Sequence, residues 1–99
     1  MTITKNRDGN AVNFALEGRL DTTTAPQLEE ALKENMDGVE ALTLDMEKLE
    51  YVSSAGLRVL LTAQKTMNAR QGRMELSGVN DSVKHVFDIT GFSPVLTFV

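Results

Sequence analysis

An α/β fold built on a mixed sheet follows from three observations on this 99-residue chain. Some segments carry apolar residues at every second position, others carry them at helical spacing, and the two kinds alternate along the chain with Gly, Pro or Asn between them. Strands that alternate with helices pair in parallel through right-handed crossovers. The order read is strand, strand, helix, strand, helix, strand, helix, strand, a sheet of about five strands with helices packed on it. Residues 1–99 form one domain, with no linker, repeat or low-complexity segment.

Residues 2–5 alternate weakly and open the sheet. Asp8-Gly9-Asn10 is a turn signal before Val12, Phe14 and Leu16, so the first two strands make a hairpin, which Gly18 ends. Thr24-Ala25-Pro26-Gln27 fits a capping box with Pro in the first turn of a helix. Leu28, Ala31, Leu32 and Met36 continue that helix, Glu29 and Lys33 pair on its outer face, and Gly38 stops it. Val39 to Met46 is the next strand, with Leu42, Leu44 and Met46 facing one way. After Ser53 and Ser54, the residues Leu57, Leu60, Leu61, Ala63 and Met67 give a second helix a broad apolar band, and Gly72 closes it. Met74 and Leu76 alternate in a short strand. Asn80 caps a third helix carrying Val83, Val86, Phe87 and Ile89, which Gly91 closes, and Pro94 precedes a final strand over Val95–Val99.

Composition removes several function classes. Ten Lys and Arg against 14 Asp and Glu leave a net charge of −4, which speaks against nucleic acid and against an anionic membrane as partners. The absence of cysteine removes disulfides and thiolate metal sites. No apolar run has the length of a membrane span and residues 1–20 lack a signal-peptide profile, so a cytoplasmic location is expected. No cofactor is called for. A chain this short buries a modest core rather than a deep catalytic cavity.

The chemistry-bearing stretch is Tyr51-Val52-Ser53-Ser54-Ala55-Gly56-Leu57-Arg58, where a strand gives way to a helix. A serine at that junction sits beside unpaired N–H groups and the positive end of the helix dipole. Two readings are compatible there: Ser53 or Ser54 caps the helix, contributing about 1 kcal/mol, or a serine carries a regulatory phosphoryl group. A nucleophilic serine fits poorly, since the Gly-x-Ser-x-Gly elbow is missing and His85, the one histidine, falls on the third helix. Asp21 charges or caps the start of the first helix. Asp45 is a poor phosphoacceptor because residues 2–7 offer no acid to hold Mg²⁺, although Asp21 and Asp45 could flank one end of the sheet.

Together Glu17-Gly18-Arg19-Leu20-Asp21, Leu44-Asp45 and Leu49-Glu50-Tyr51-Val52-Ser53-Ser54-Ala55-Gly56-Leu57 resemble the STAS domain of bacterial anti-sigma factor antagonists, in the family's element order over nearly the whole chain. The resemblance implies partner switching. The unmodified antagonist binds an anti-sigma factor that is also a serine kinase, a sigma factor is freed, phosphorylation releases the antagonist, and a metal-dependent serine phosphatase resets it. Alignment on Gly56 places the phosphoacceptor on Ser54, and Asp21 matches the family's acidic residue near it. Better-known members read Asp-Ser-Ser/Thr-Gly; here Ser53 replaces the aspartate, making it a rival acceptor, and Ala55 replaces the second hydroxyl. The partner-facing set implied is Asp21, Thr22, Ser53, Ser54, Ala55, Gly56 and Arg58. Such a protein is a regulator and not an enzyme. The alternatives are a STAS scaffold in another signalling or lipid-transport complex and a small hydrolase using Ser54 and His85.

Overall fold

The computed structural model describes residues 1–99. Its elements are β1 (Thr2–Asp8), β2 (Ala11–Leu20), α1 (Ala25–Asn35), β3 (Ala41–Val52), α2 (Ser54–Ala69), β4 (Arg73–Ser77) and α3 (Asp81–Thr90). The strands form one sheet in the order β1-β2-β3-β4. β1 runs antiparallel to β2, while β3 is parallel to β2 and to β4, so the sheet is mixed as the pattern predicts. Asp8 pairs with Ala11, leaving Gly9-Asn10 as a two-residue hairpin loop. Gly9 takes φ 62° there, a conformation a side chain would resist.

One face of the sheet makes the core. Val12, Phe14 and Leu16 of β2, Leu42, Leu44 and Met46 of β3, and Met74 and Leu76 of β4 are buried in one cluster. Leu28 and Leu32 of α1, Leu57, Leu60 and Met67 of α2, and Val83 and Phe87 of α3 join the same cluster. The alternate positions, among them Asn13, Ala15, Thr43, Asp45, Glu75 and Ser77, are half-buried and stay outside it. A parallel sheet usually has both faces covered; the small and polar side chains of this second face let it remain open. Gln64 is the one buried polar side chain; its Nε2 donates to Asn68 Oδ1 at 3.0 Å, and its Oε1 has no partner.

Several local expectations are revised. β3 does not stop near Met46 but continues to Val52. Met46, Leu49 and Val52 stay buried at a spacing of three because β3 carries an extra residue against β2 at each of the register shifts, between Ala15 and Glu17 and between Gly18 and Arg19. Thr24 is the N-cap of α1, yet its hydroxyl makes no cap bond. It donates instead to Arg19 O and accepts from the Asp21 N–H, each at 2.8 Å, so the capping box is not formed. At the end of α2 the left-handed residue is Gln71, at φ 60°, rather than Gly72. Gly72 serves close packing, since a Cβ there would lie 2.6 Å from Met67 Cε and 2.9 Å from Glu40 O.

The third helix begins and ends as its sequence signals say. Asn80 Oδ1 accepts from the Val83 N–H at 2.9 Å and Gly91 is left-handed at φ 80°. Beyond it, Val95–Val99 contributes one rung of sheet, a parallel bridge between Leu76 and Phe98. The Leu76 N–H donates to Thr97 O at 2.8 Å and the Val99 N–H to Leu76 O at 2.9 Å. A turn closed by the Val95 N–H on Phe92 O at 3.0 Å uses up the preceding residues, so only the last few reach β4.

Candidate functional site

Leu20 pairs with Val52 at the ends of the parallel strands β2 and β3, and the Ser53 N–H donates to Leu20 O at 2.9 Å. The chain therefore leaves both strands side by side, with Asp21 on one exit and Ser53 on the other. Parallel α/β sheets present their sites at this carboxyl end. α2 starts at once and must approach β2 closely. A Cβ on Gly56 would lie 2.6 Å from Leu20 Cγ and 3.0 Å from Leu20 O, so only glycine fits.

The two serines take different work. Ser53 has extended backbone (φ −94°, ψ 174°) and caps α2: its Oγ accepts from the Gly56 N–H at 3.4 Å and its carbonyl from the Leu57 N–H at 2.9 Å. Ser53 is half-buried, whereas Ser54, the first residue of the helix, is exposed. Ala55 is half-buried against the core, and Arg58, one turn on from Ser54, is exposed.

Asp21 Oδ1 accepts from the Thr23 N–H at 3.0 Å and from the Thr24 N–H at 3.1 Å, and Arg19 Nε lies 3.7 Å from its Oδ2. The Thr24 N–H first, then the Thr23 N–H, the Thr24 hydroxyl and Arg19, hold the carboxyl below its ordinary value against the opposing effect of desolvation. Thr22 is exposed on the same turn. The Arg19 guanidinium also stacks over the Tyr51 ring, 4.4 Å from its centroid. Arg19 and Tyr51 border the site and escape sequence reasoning; their opposition across β2 and β3 follows from a register shift that the pattern does not reveal.

Other candidates stay apart. Asp45 lies within β3, paired with Ala15 and Ser77 on the open face, and does not join Asp21 at the sheet end because β3 runs on for another seven residues. His85 is exposed on α3 and makes no hydrogen bond to Ser54, which lies at the start of α2. No group of three His, Asp or Glu side chains converges on a metal position. An open groove of about 350 Å³ between α1 and α2 is lined by Leu32, Met36, Val59, Thr62, Ala63 and Arg70 among others. No helix is long and apolar enough to cross a membrane. What the corner offers is an exposed serine at a helix start, with Thr22, Arg19, Tyr51 and Arg58 also exposed on the segments that meet there.

The fold and sequence have clear relatives. The anti-sigma-B factor antagonist of Listeria monocytogenes is 33% identical over 94 residues, covering 93% of this chain and 82% of that protein. The anti-sigma factor antagonist SpoIIAA in its unphosphorylated form superposes with a TM-score of 0.85 at 21% identity, over 99% of this chain and 88% of that one. The phosphorylated form of the Bacillus cell fate determinant SpoIIAA superposes with a TM-score of 0.77 at 20% identity, over 99% and 91%. The STAS domain model matches residues 2–99. With that match spanning the sheet, the helices and the Ser53–Arg58 corner alike, the chain belongs to the STAS domain family.

Proposed function

We propose that this protein is an anti-sigma factor antagonist whose partner binding is switched by phosphorylation of Ser54. The unphosphorylated chain binds an anti-sigma factor that is itself a serine kinase, and in doing so frees a sigma factor. Phosphorylation releases the antagonist, and a metal-dependent serine phosphatase restores it. The observation that carries the reading is the division of labour between the serines: Ser53 is committed to the cap, while Ser54 stands exposed on the first turn. The names of the Listeria and SpoIIAA relatives, one of them known in a phosphorylated form, agree with it.

The physics is local. A phosphoryl group adds a charge of about −1.5 to −2 where the helix dipole and free N–H groups offset it, so the domain keeps its fold. The cost falls on the docked partner, where burying a dianion costs several kcal/mol and each ~1.4 kcal/mol is tenfold in affinity. Nothing here requires turnover; the protein acts by binding. Ser54→Ala is expected to keep partner affinity and to resist phosphorylation by the partner kinase with ATP, whereas Ser54→Asp should bind at least tenfold more weakly. Isothermal titration against the anti-sigma factor and site mapping by intact mass check both; equal affinity of wild type, Ala and Asp forms would defeat the reading, as would a phosphate found on Ser53.

A further inference from the structure

Charge is distributed unevenly along α2. Its sixteen residues, SAGLRVLLTAQKTMNA, contain no carboxylate, and the charges are Arg58 and Lys65. The ion pairs of the molecule join Arg19 to Asp21, Lys33 to Glu29, Arg73 to Glu75 and Lys84 to Asp88, which leaves Arg58 unpaired. Two acids on neighbouring segments, Asp21 and Glu29, are already engaged. Asp21 holds the Thr23 and Thr24 N–H groups and Arg19, and Glu29 of α1 lies 3.4 Å from Lys33. Arg19, the other cation of the corner, is taken up by Asp21 and the Tyr51 ring.

Ser54 and Arg58 stand four residues apart in one continuous helix, both exposed. That spacing puts them on one face, about 6 Å apart along the axis. An anion four residues N-terminal to a cation is the favourable orientation, because each charge then also faces the dipole end it prefers. The Arg58 carbonyl accepts from the Thr62 hydroxyl at 2.9 Å, a backbone contact that leaves the guanidinium free. Its planar fork matches phosphate oxygens bidentately.

We propose that Arg58 is the intramolecular partner of the phosphoryl group on Ser54, closing a phosphoserine–arginine clamp along the first turn of α2. The inference rests on the proposed phosphorylation and deepens it. Phosphorylation then changes the docking corner twice, adding a dianion and withdrawing the one unpaired cation of α2's first turns from any partner carboxylate it would otherwise meet. Release follows from both.

The clamp is tested without a kinase or a partner. Phosphoserine is installed at position 54 during translation, and the second ionisation of the phosphate is followed by ³¹P NMR titration in wild type, Arg58→Gln, Arg58→Lys and Arg19→Gln. The wild-type ionisation is expected about half a pH unit below that of Arg58→Gln, a gap that shrinks in high salt. Arg58→Lys should keep part of the shift and Arg19→Gln all of it. Identical titrations in wild type and Arg58→Gln overturn the clamp, as does a shift lost in Arg19→Gln instead. Should the partner kinase fail to modify Ser54, the proposed function falls while this titration still reports on Arg58.

Discussion

A glycine, an aspartate and two hydroxyls do most of the work at the Ser54 corner, and each can be tested singly. Gly56 is needed for space and not for conformation, because a methyl would meet the Leu20 backbone oxygen at 3.0 Å and the Leu20 side chain at 2.6 Å. Gly56→Ala is expected to lower stability by about 1–3 kcal/mol in urea denaturation, by forcing α2 off the end of β2. Asp21 bears on the turn that starts α1. Its carboxyl ionises below the ordinary value in the folded chain, so its contribution is fully present above the unfolded pKa and is lost as pH falls through the folded one. The stability difference between wild type and Asp21→Asn should therefore be constant near neutrality and close as pH drops below about 4, which paired urea titrations across pH will read. The Ser54 corner was half legible. Gly56 and the serine pair mark it in the sequence, but spacing alone leaves Ser53 and Ser54 interchangeable as cap; backbone geometry separates them, with extended φ and ψ at Ser53 and helical continuation from Ser54.

At the scale of elements, those with one clean period were readable and those with two were not. α3 announces both ends through Asn80 and Gly91, and β2 alternates through Val12, Phe14 and Leu16. β3 hides its second half because Met46, Leu49 and Val52 recur every third residue, a spacing that belongs to neither a regular strand nor a surface stripe. Thr24 shows the same limit for caps: the right residue occupies the right place, but its hydroxyl prefers the Arg19 carbonyl and the Asp21 N–H. α2 carries a cost of its own in Gln64, whose buried Oε1 lacks a donor. Replacing it by Leu, close in volume and free of polar atoms, is expected to raise stability by about 1 kcal/mol. A lower melting temperature in Gln64→Leu would mean that the amide is satisfied by bound water.

For the molecule as a whole, one core on one side of one sheet carries the stability, and the tail belongs to it. Leu96 is buried and the Phe98 ring sits 5.5 Å from that of Phe87, with Lys84 Nζ 4.9 Å from the Phe98 ring centre. Ending the chain after Pro94 should cost about 3 kcal/mol, a fall of roughly 10–20 °C in Tm by calorimetry. The topology was legible because helices and strands alternate in the sequence; the open sheet face was not, since half-buried Ala15, Thr43 and Ser77 read equally well as covered or bare. The pairing of Leu20 with Val52 makes the lengths of β2 and β3 matter to the corner. Adding or losing one residue within β2 or β3, where no bulge absorbs it as those beyond Ala15 and Gly18 do, would invert the following side chains, send Leu20 or Val52 to solvent and part the two strand exits. The hairpin loop at Gly9-Asn10 and the link from Met36 to Glu40 lie at the far ends of those strands, so length changes there leave the serine corner in place.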